Sequence, residues 1–297
     1  MKKLIPALGL ALTALFAGGV AAQTLDKIRK DGSITIGHRD ASMPFSYFDD
    51  KQQPVGYSMD ICMKIADAVK AELKMPGLAV KLNPVTSATR IPLMANGTID
   101  LECGSTTNNI ERQKQVAFAP TTFVTANRLV AKKSSNISKL DDMKGKAIVS
   151  TSGSTNLKQI TEENGKRNLG MNISAAKDHA EAFLMVETGR AVAFAMDDIL
   201  LFSFVASSKA PADYMITSEA LSVEPYGIML RRDDPAFKKV VDTAVTNLMK
   251  SGELEKIYNK WFMSPIPPKG INLNVPMGAS LRKVVASPTD SGDPAKY

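Results

Sequence analysis

The chain has 297 residues, with 37 Lys and Arg against 30 Asp and Glu, a formal net charge of +7 and two cysteines. That length favours two compact units over a single core. Basic residues alternate with acidic ones instead of gathering on one stripe, which argues against a nucleic-acid partner, and neither cysteine has metal-ligand spacing, so no metal and no cofactor is expected.

At the N-terminus, Lys2 and Lys3 precede a mostly apolar run from Leu4 to Val20, broken by Pro6 and Gly9 and followed by Ala21 and Ala22. This pattern reads as a secretory leader over 1–22, too interrupted for a membrane helix. Export to an oxidising compartment would permit a bond between Cys62 and Cys103 without requiring one. No later segment is apolar enough to span a bilayer.

Beyond the leader, strands alternate with amphipathic helices. Ser33 to Gly37 is a predicted strand and Tyr57 to Leu73 a helix with Ile61, Ile65, Ala68 and Val69 on one side. Val80 to Val85 is a second strand, a short helix runs from Ser87 to Asn96-Gly97, and Ile99 to Cys103 is a third strand. The order repeats: strand Ala147 to Ser150, helix Thr155 to Glu163, strand Asn172 to Ala175, helix Asp178 to Glu187, strand Ala191 to Met196. Tyr226 to Leu230 is strand-like, Asp234-Pro235 opens a helix to Met249, and Ser251 to Phe262 forms another. Two βαβαβ units imply an α/β protein of two lobes, each a mostly parallel sheet flanked by helices. Extended crossings near Phe123 to Leu129 and Val223 to Tyr226 would carry the chain out of the first lobe and back. The expected division is 23–125 for the first lobe, 126–222 for the second, and 223–297 for the return to the first.

Ligands in open α/β sheets sit outside the carboxyl ends of the strands. Those positions hold His38 and Arg39; Ser87 and Arg90; Ser105 and Thr107 with Arg112; Thr155; His179; and Asp197. Guanidinium forks match carboxylates, hydroxyls at helix starts complete the anion's hydrogen bonds, and one Asp suits an ammonium group. Three cations with one anion therefore describe a cleft for a zwitterion bearing an extra acid group.

The stretches Gly37-His-Arg39, Thr86 to Pro92, Glu102 to Asn109, Glu111 to Gln115, Ala176 to His179 and Gly189 to Phe194 carry a resemblance. The chain resembles the glutamate/aspartate-binding branch of solute-binding protein family 3, which serves polar amino acid ABC transporters. That resemblance implies the periplasmic-binding-protein fold with two hinge crossings, a monomer in the periplasm, L-glutamate or L-aspartate as ligand and an ABC membrane permease as partner. It also implies that Arg112 holds the α-carboxylate, Asp197 the α-ammonium, and Arg39, Arg90 and His179 the side-chain carboxylate, with Ser87, Ser105, Thr107 and Thr155 donating further hydrogen bonds. The chain departs from the family pattern near Gly227, where it has Ile228 in place of a cysteine, and the pairing of Cys62 with Cys103 stays open.

Several of these residues have a second reading. Ser87 and Thr155 could serve only to start their helices, and His179 could be a polar surface group. His38 neighbours Arg39 on a strand and so points to the opposite face, which makes it structural. Asp198 is free to cap the helix after Asp197. The Phe45, Tyr47 and Phe48 cluster reads as packing. A secreted enzyme on the same scaffold, for example a dehydratase, would want a nucleophile or an acid/base pair; neither a Ser-His-Asp arrangement nor two strand-end carboxylates besides Asp197 are evident. A receptor's sensing domain would bring a membrane span or a DNA-reading helix pair, and a binding protein for another polar amino acid would share the Gly104-Ser-Thr-Thr107 and Glu111-Arg112 pieces, whereas Arg39, Arg90 and His179 together resemble the acidic-ligand branch.

Overall fold

A computed structural model describes residues 24–297; the leader read over 1–22 lies outside the described residues. The first lobe opens with α1 (Thr24–Asp31), β1 (Ser33–His38), the short strands β2 (Ala41–Ser42), β3 (Ser46–Phe48) and β4 (Pro54–Val55), and α2 (Tyr57–Leu73). It continues through β5 (Ala79–Pro84), α3 (Arg90–Ala95), β6 (Leu101–Glu102) and β7 (Val116–Phe118). The second lobe contains β8 (Phe123–Lys132), β9 (Ala147–Thr151), α4 (Thr155–Lys166), β10 (Asn172–Ala176), α5 (His179–Glu187), β11 (Ala193–Asp197), α6 (Asp198–Ser207) and β12 (Tyr214–Ile216). The chain returns through β13 (Ser222–Tyr226) and β14 (Met229–Arg231) and ends with α7 (Pro235–Lys250), α8 (Glu253–Phe262) and α9 (Ala279–Ala286).

The first sheet has the order β5-β1-β6-β14-β7 and the second β10-β9-β11-β8-β12, with β13 also paired to β8. Each sheet is mixed. Strands joined by helical crossovers run parallel, whereas the returning β14 and the hinge strand β8 pair antiparallel with their neighbours. The two crossings lie side by side as one antiparallel ribbon, from Phe123 opposite Tyr226 to Asn127 opposite Ser222. The predicted strand Tyr226 to Leu230 is two strands, because β13 belongs to the hinge and β14 to the first sheet.

The helices follow from their apolar spacing. Ile61, Ile65 and Val69 of α2 are buried on one face, with Ala68 at the edge. Phe45 is fully buried, with its ring 4.9 Å from Phe123 and 5.1 Å from Tyr226, so this aromatic group packs the base of the hinge, as its sequence suggested. His38 is buried edge-on against Phe48 at 5.4 Å, a packing role. Among the described residues no helix is long and apolar enough to cross a membrane.

Two helix-start expectations are corrected. The helix after β5 begins at Arg90, because Thr86 and Thr89 tie the preceding turn: Thr86 N donates to Thr89 Oγ1 at 2.9 Å and Thr89 N to Thr86 Oγ1 at 3.2 Å. Ser87 is left uncommitted to any cap. Asp198 does not cap α6 either; its carboxylate accepts from Thr125 Oγ1 at 2.5 Å and Arg128 Nε at 3.0 Å, which fastens α6 to the hinge strand β8.

Cys62 and Cys103 form a disulfide with an S–S distance of 2.02 Å, and both residues are fully buried. The bond joins α2 to the end of β6 across a sequence separation of 41 residues. Closing a loop of that length removes chain entropy from the unfolded state, worth about 2–4 kcal/mol. Replacing both cysteines with alanine should lower the unfolding free energy by about that amount in a denaturant titration; a loss below about 0.5 kcal/mol would show that the staple adds nothing to the packed core.

Candidate functional site

Of the ten residues singled out by strand-end position, all but His38 come together between the lobes, and of those nine all but Thr155 are buried. Seven of them (Ser87, Arg90, Ser105, Thr107, Thr155, His179 and Asp197) line one small cavity with Ser154, Asn156 and Met196, its volume about 10 Å³. Arg39 and Arg112 stand directly behind this lining. Arg39 Nη2 donates to Ser87 Oγ at 2.8 Å, and Arg112 Nη1 donates to the Thr107 carbonyl at 2.8 Å.

The lobes meet through this site. Arg39 Nη2 lies 3.3 Å from His179 Nε2, and Thr151 Oγ1 lies 2.7 Å from His179 Nδ1. A guanidinium can only donate, so Nε2 accepts and the ring proton sits on Nδ1, directed at the Thr151 hydroxyl. Burial first, then the charges of Arg39 and Arg90, hold His179 well below its ordinary pKa. The ring is therefore neutral, and its geometry makes it an orienting group for Arg39. On the other side of the cleft, Arg112 Nη2 donates to the Gly153 carbonyl at 3.3 Å. Gly153 adopts φ +75°, and a Cβ there would lie 2.6 Å from Ala88 Cα, so only glycine lets the two backbones approach so closely.

Three buried guanidiniums need compensation. Burial lowers Arg39 to about 10 and Arg112 to about 9, and in both cases the charge of Arg90 adds to the effect. All three remain cationic at neutral pH. Arg90 Nη1 donates to Thr106 Oγ1 at 2.6 Å, and that hydroxyl donates on to Glu102. Glu102 is fully buried, and its negative charge supports protonation of all three arginines.

Asp197 ends β11 with its carboxylate held by Asn156 Nδ2 at 2.7 Å and by the Tyr226 hydroxyl. Its pKa is pushed up to about 7, first by burial and then by the nearby charge of Glu224. Glu224 lies on the hinge strand β13 and accepts from Thr155 Oγ1 at 2.9 Å. Thr155 is not the cap of its helix; Ser154 is, accepting from Leu157 N at 3.1 Å.

Glu102, Thr106, Thr151, Asn156, Glu224 and Tyr226 thus belong to the site although sequence reasoning gave them no role. One further carboxylate accompanies Asp197 at a strand end: Glu102, the last residue of β6. The strand-end rule that found Arg39 would have found Glu102 as well. Glu224 and Tyr226 carried no such signal, since they sit within the hinge crossing.

Buried polar atoms without a partner concentrate here. Among the described residues they include Arg39 Nη1, Arg90 Nε, Ser105 Oγ and Glu102 Oε1. A buried donor left unpaired costs about 1–3 kcal/mol, so three such donors around one cavity mark a surface complementary to an anion. Among the described residues no cluster of His, Cys, Asp and Glu has the geometry to hold a metal ion.

The comparisons with known proteins agree with this geometry. An L-glutamate/L-aspartate-binding protein of Pseudomonas aeruginosa is 53% identical over 94% of each chain. A glutamate/aspartate import solute-binding protein of Escherichia coli is 48% identical over 92% of this chain and 91% of its own. Among solved structures, a mutant of the arginine-binding protein of T. maritima aligns with a TM-score of 0.72 at 27% identity, over 80% of this chain and 98% of that one. An ancestral arginine-binding protein bound to arginine aligns with a TM-score of 0.70 at 29% identity, over 78% and 98%. The model of the bacterial extracellular solute-binding proteins, family 3, matches residues 34–264, and the chain belongs to that family.

Proposed function

We propose that this chain is the periplasmic solute-binding component of an ABC importer, a monomer that captures L-glutamate or L-aspartate between its lobes and delivers it to a membrane permease. The observation that carries the reading is the meeting of Arg39, Arg90 and Arg112 with Asp197 around one buried cavity. The names of the relatives from P. aeruginosa and E. coli support it. The division into 23–125 with 223–297 as one lobe and 126–222 as the other, preceded by a leader at 1–22, belongs to the same proposal.

In this reading Arg112, Ser105 and Thr107 receive the α-carboxylate, with Thr155 beside them. Asp197 receives the ammonium group, and Arg39 and Arg90 with Ser87 receive the side-chain carboxylate. His179 acts by fixing Arg39. Each charge-assisted hydrogen bond contributes about 1.5–3 kcal/mol, so three or four support about micromolar affinity once ordering is subtracted. No bond is made or broken, because closing the lobes around a bound ligand is the whole task.

Calorimetry on the purified chain should show saturable glutamate or aspartate binding with one site per chain. Tighter binding of arginine or glutamine than of either acid would overturn the assignment. Arg112→Ala should nearly abolish binding of every amino acid, while Arg90→Ala should chiefly erase the preference for glutamate over glutamine; equal losses in both variants would contradict this division of roles.

Asp197 supplies a pH test. Burial and the charge of Glu224 push its carboxyl up to about 7, and an ammonium partner favours the ionised form. Affinity should therefore be full above about pH 7 and fall below it by up to tenfold per pH unit, because binding must then expel a proton. Tyr226→Phe removes a hydrogen bond that favours the carboxylate, so it should move the midpoint upward. Affinity that stays flat from pH 8 to pH 5 would show that Asp197 does not meet the ammonium group.

A further inference from the structure

We propose that the C-terminal tail is an intramolecular clamp that holds the loop between Thr107 and Arg112, and so sets the affinity of the cleft; this rests on the binding roles proposed above. The tail lies beyond the family match, which ends at residue 264. After α9 it crosses the first lobe and reaches the back of that loop.

The contacts are specific. The Asp290 carbonyl accepts from Asn108 Nδ2 at 2.8 Å and from Gln113 Nε2 at 2.9 Å. Gln113 Nε2 also donates to Asn108 Oδ1 at 2.8 Å, which closes a triangle around the fully buried Asn108. The Thr289 carbonyl accepts from Thr121 N at 2.8 Å, and the Tyr297 hydroxyl donates to the Ser291 carbonyl at 2.7 Å. Lys238 Nζ anchors the Asp290 carboxylate at 2.8 Å. A Cβ on Gly292 would lie 2.7 Å from both Asn109 C and Ile110 N, so the tail's backbone rests on the loop's backbone.

The loop so held carries the site. Asn109 Oδ1 accepts from Arg112 N at 2.8 Å, and Arg112 Nη1 returns to the Thr107 carbonyl at 2.8 Å. The hinge holds one end of this stretch, through a bridge between Thr107 and Tyr226 and a bond from Asn108 N to the Pro225 carbonyl at 2.7 Å, but beyond Asn108 it has only the single 3₁₀ turn Arg112–Lys114, and such segments open locally unless something packs on them. A guanidinium binds a carboxylate well only when its fork is held in register, so the clamp positions Arg112 without touching the ligand.

Two variants test this: deletion of residues 289–297, and Gly292→Val, which lifts the tail off the loop while leaving the rest in place. Hydrogen exchange of the Arg112 and Gln113 amides is followed without ligand, and dissociation constants for glutamate and glutamine are measured by calorimetry. Both variants should lose protection at these amides and weaken both ligands about tenfold. Their preference for glutamate should stay unchanged, because the loop serves the group the two ligands share. Unchanged protection in both variants, unchanged affinities, or a loss confined to glutamate would overturn the clamp. Failure of the intact chain to bind either ligand would sink the ligand assignment instead, and the exchange measurement would still decide the clamp.

Discussion

Each guanidinium in the cleft has given up water, and the need to offset that loss governs what surrounds it. Arg39, Arg90 and Arg112 are 3%, 2% and 7% exposed, too deep for solvent to screen them from one another. Their nearest relief comes from Glu102, Asp197 and Glu224, which are 0%, 3% and 5% exposed. Removing one member of such a buried set strands the others, which is why so many of the polar residues here hold each other before any ligand is considered. The donors still unpaired are the ones a carboxylate would satisfy.

The fold places these charges on parts that must move together. Arg39 follows β1 and Glu102 ends β6, Arg90 opens α3, Asp197 ends the second-lobe strand β11, and Glu224 with Tyr226 lies on the hinge. The Tyr226 hydroxyl bonds to Asp197, and Thr155 bonds to Glu224, so the hinge is tied to the site by hydrogen bonds as well as by chain connectivity. Separating the lobes would also break the contact of Arg39 with His179 and that of Arg112 with Gly153. Lobe position and site electrostatics are thus one equilibrium, biased by whatever anion completes the network.

Much of this was legible in the sequence because periodicity and strand ends are local properties. The alternating strands implied the two-lobed α/β arrangement, and one rule about strand ends found nine of the residues that converge here, together with His38, which packs against Phe48 instead. What it could not show was reciprocity. Ser87 looked like a helix cap until Thr86 and Thr89 proved to hold that turn themselves, and Asp198 looked like a cap until Arg128 and Thr125 claimed it. The His179 ring lines the cavity, and the sequence could not show that both its nitrogens face protein groups. Glu224 and Tyr226 were hidden because a hinge strand carries no site signal, and the tail because contacts such as Asn108 with Asp290 span 182 residues.

The central claim is that the three guanidiniums and Asp197 divide a doubly acidic zwitterion among them. A crystal structure of the complex with L-glutamate tests it most directly. The account requires the α-carboxylate on Arg112, the ammonium on Asp197 and the distal carboxylate between Arg39 and Arg90. A glutamate bound in the opposite sense, or one whose distal carboxylate reaches neither Arg39 nor Arg90, would contradict it.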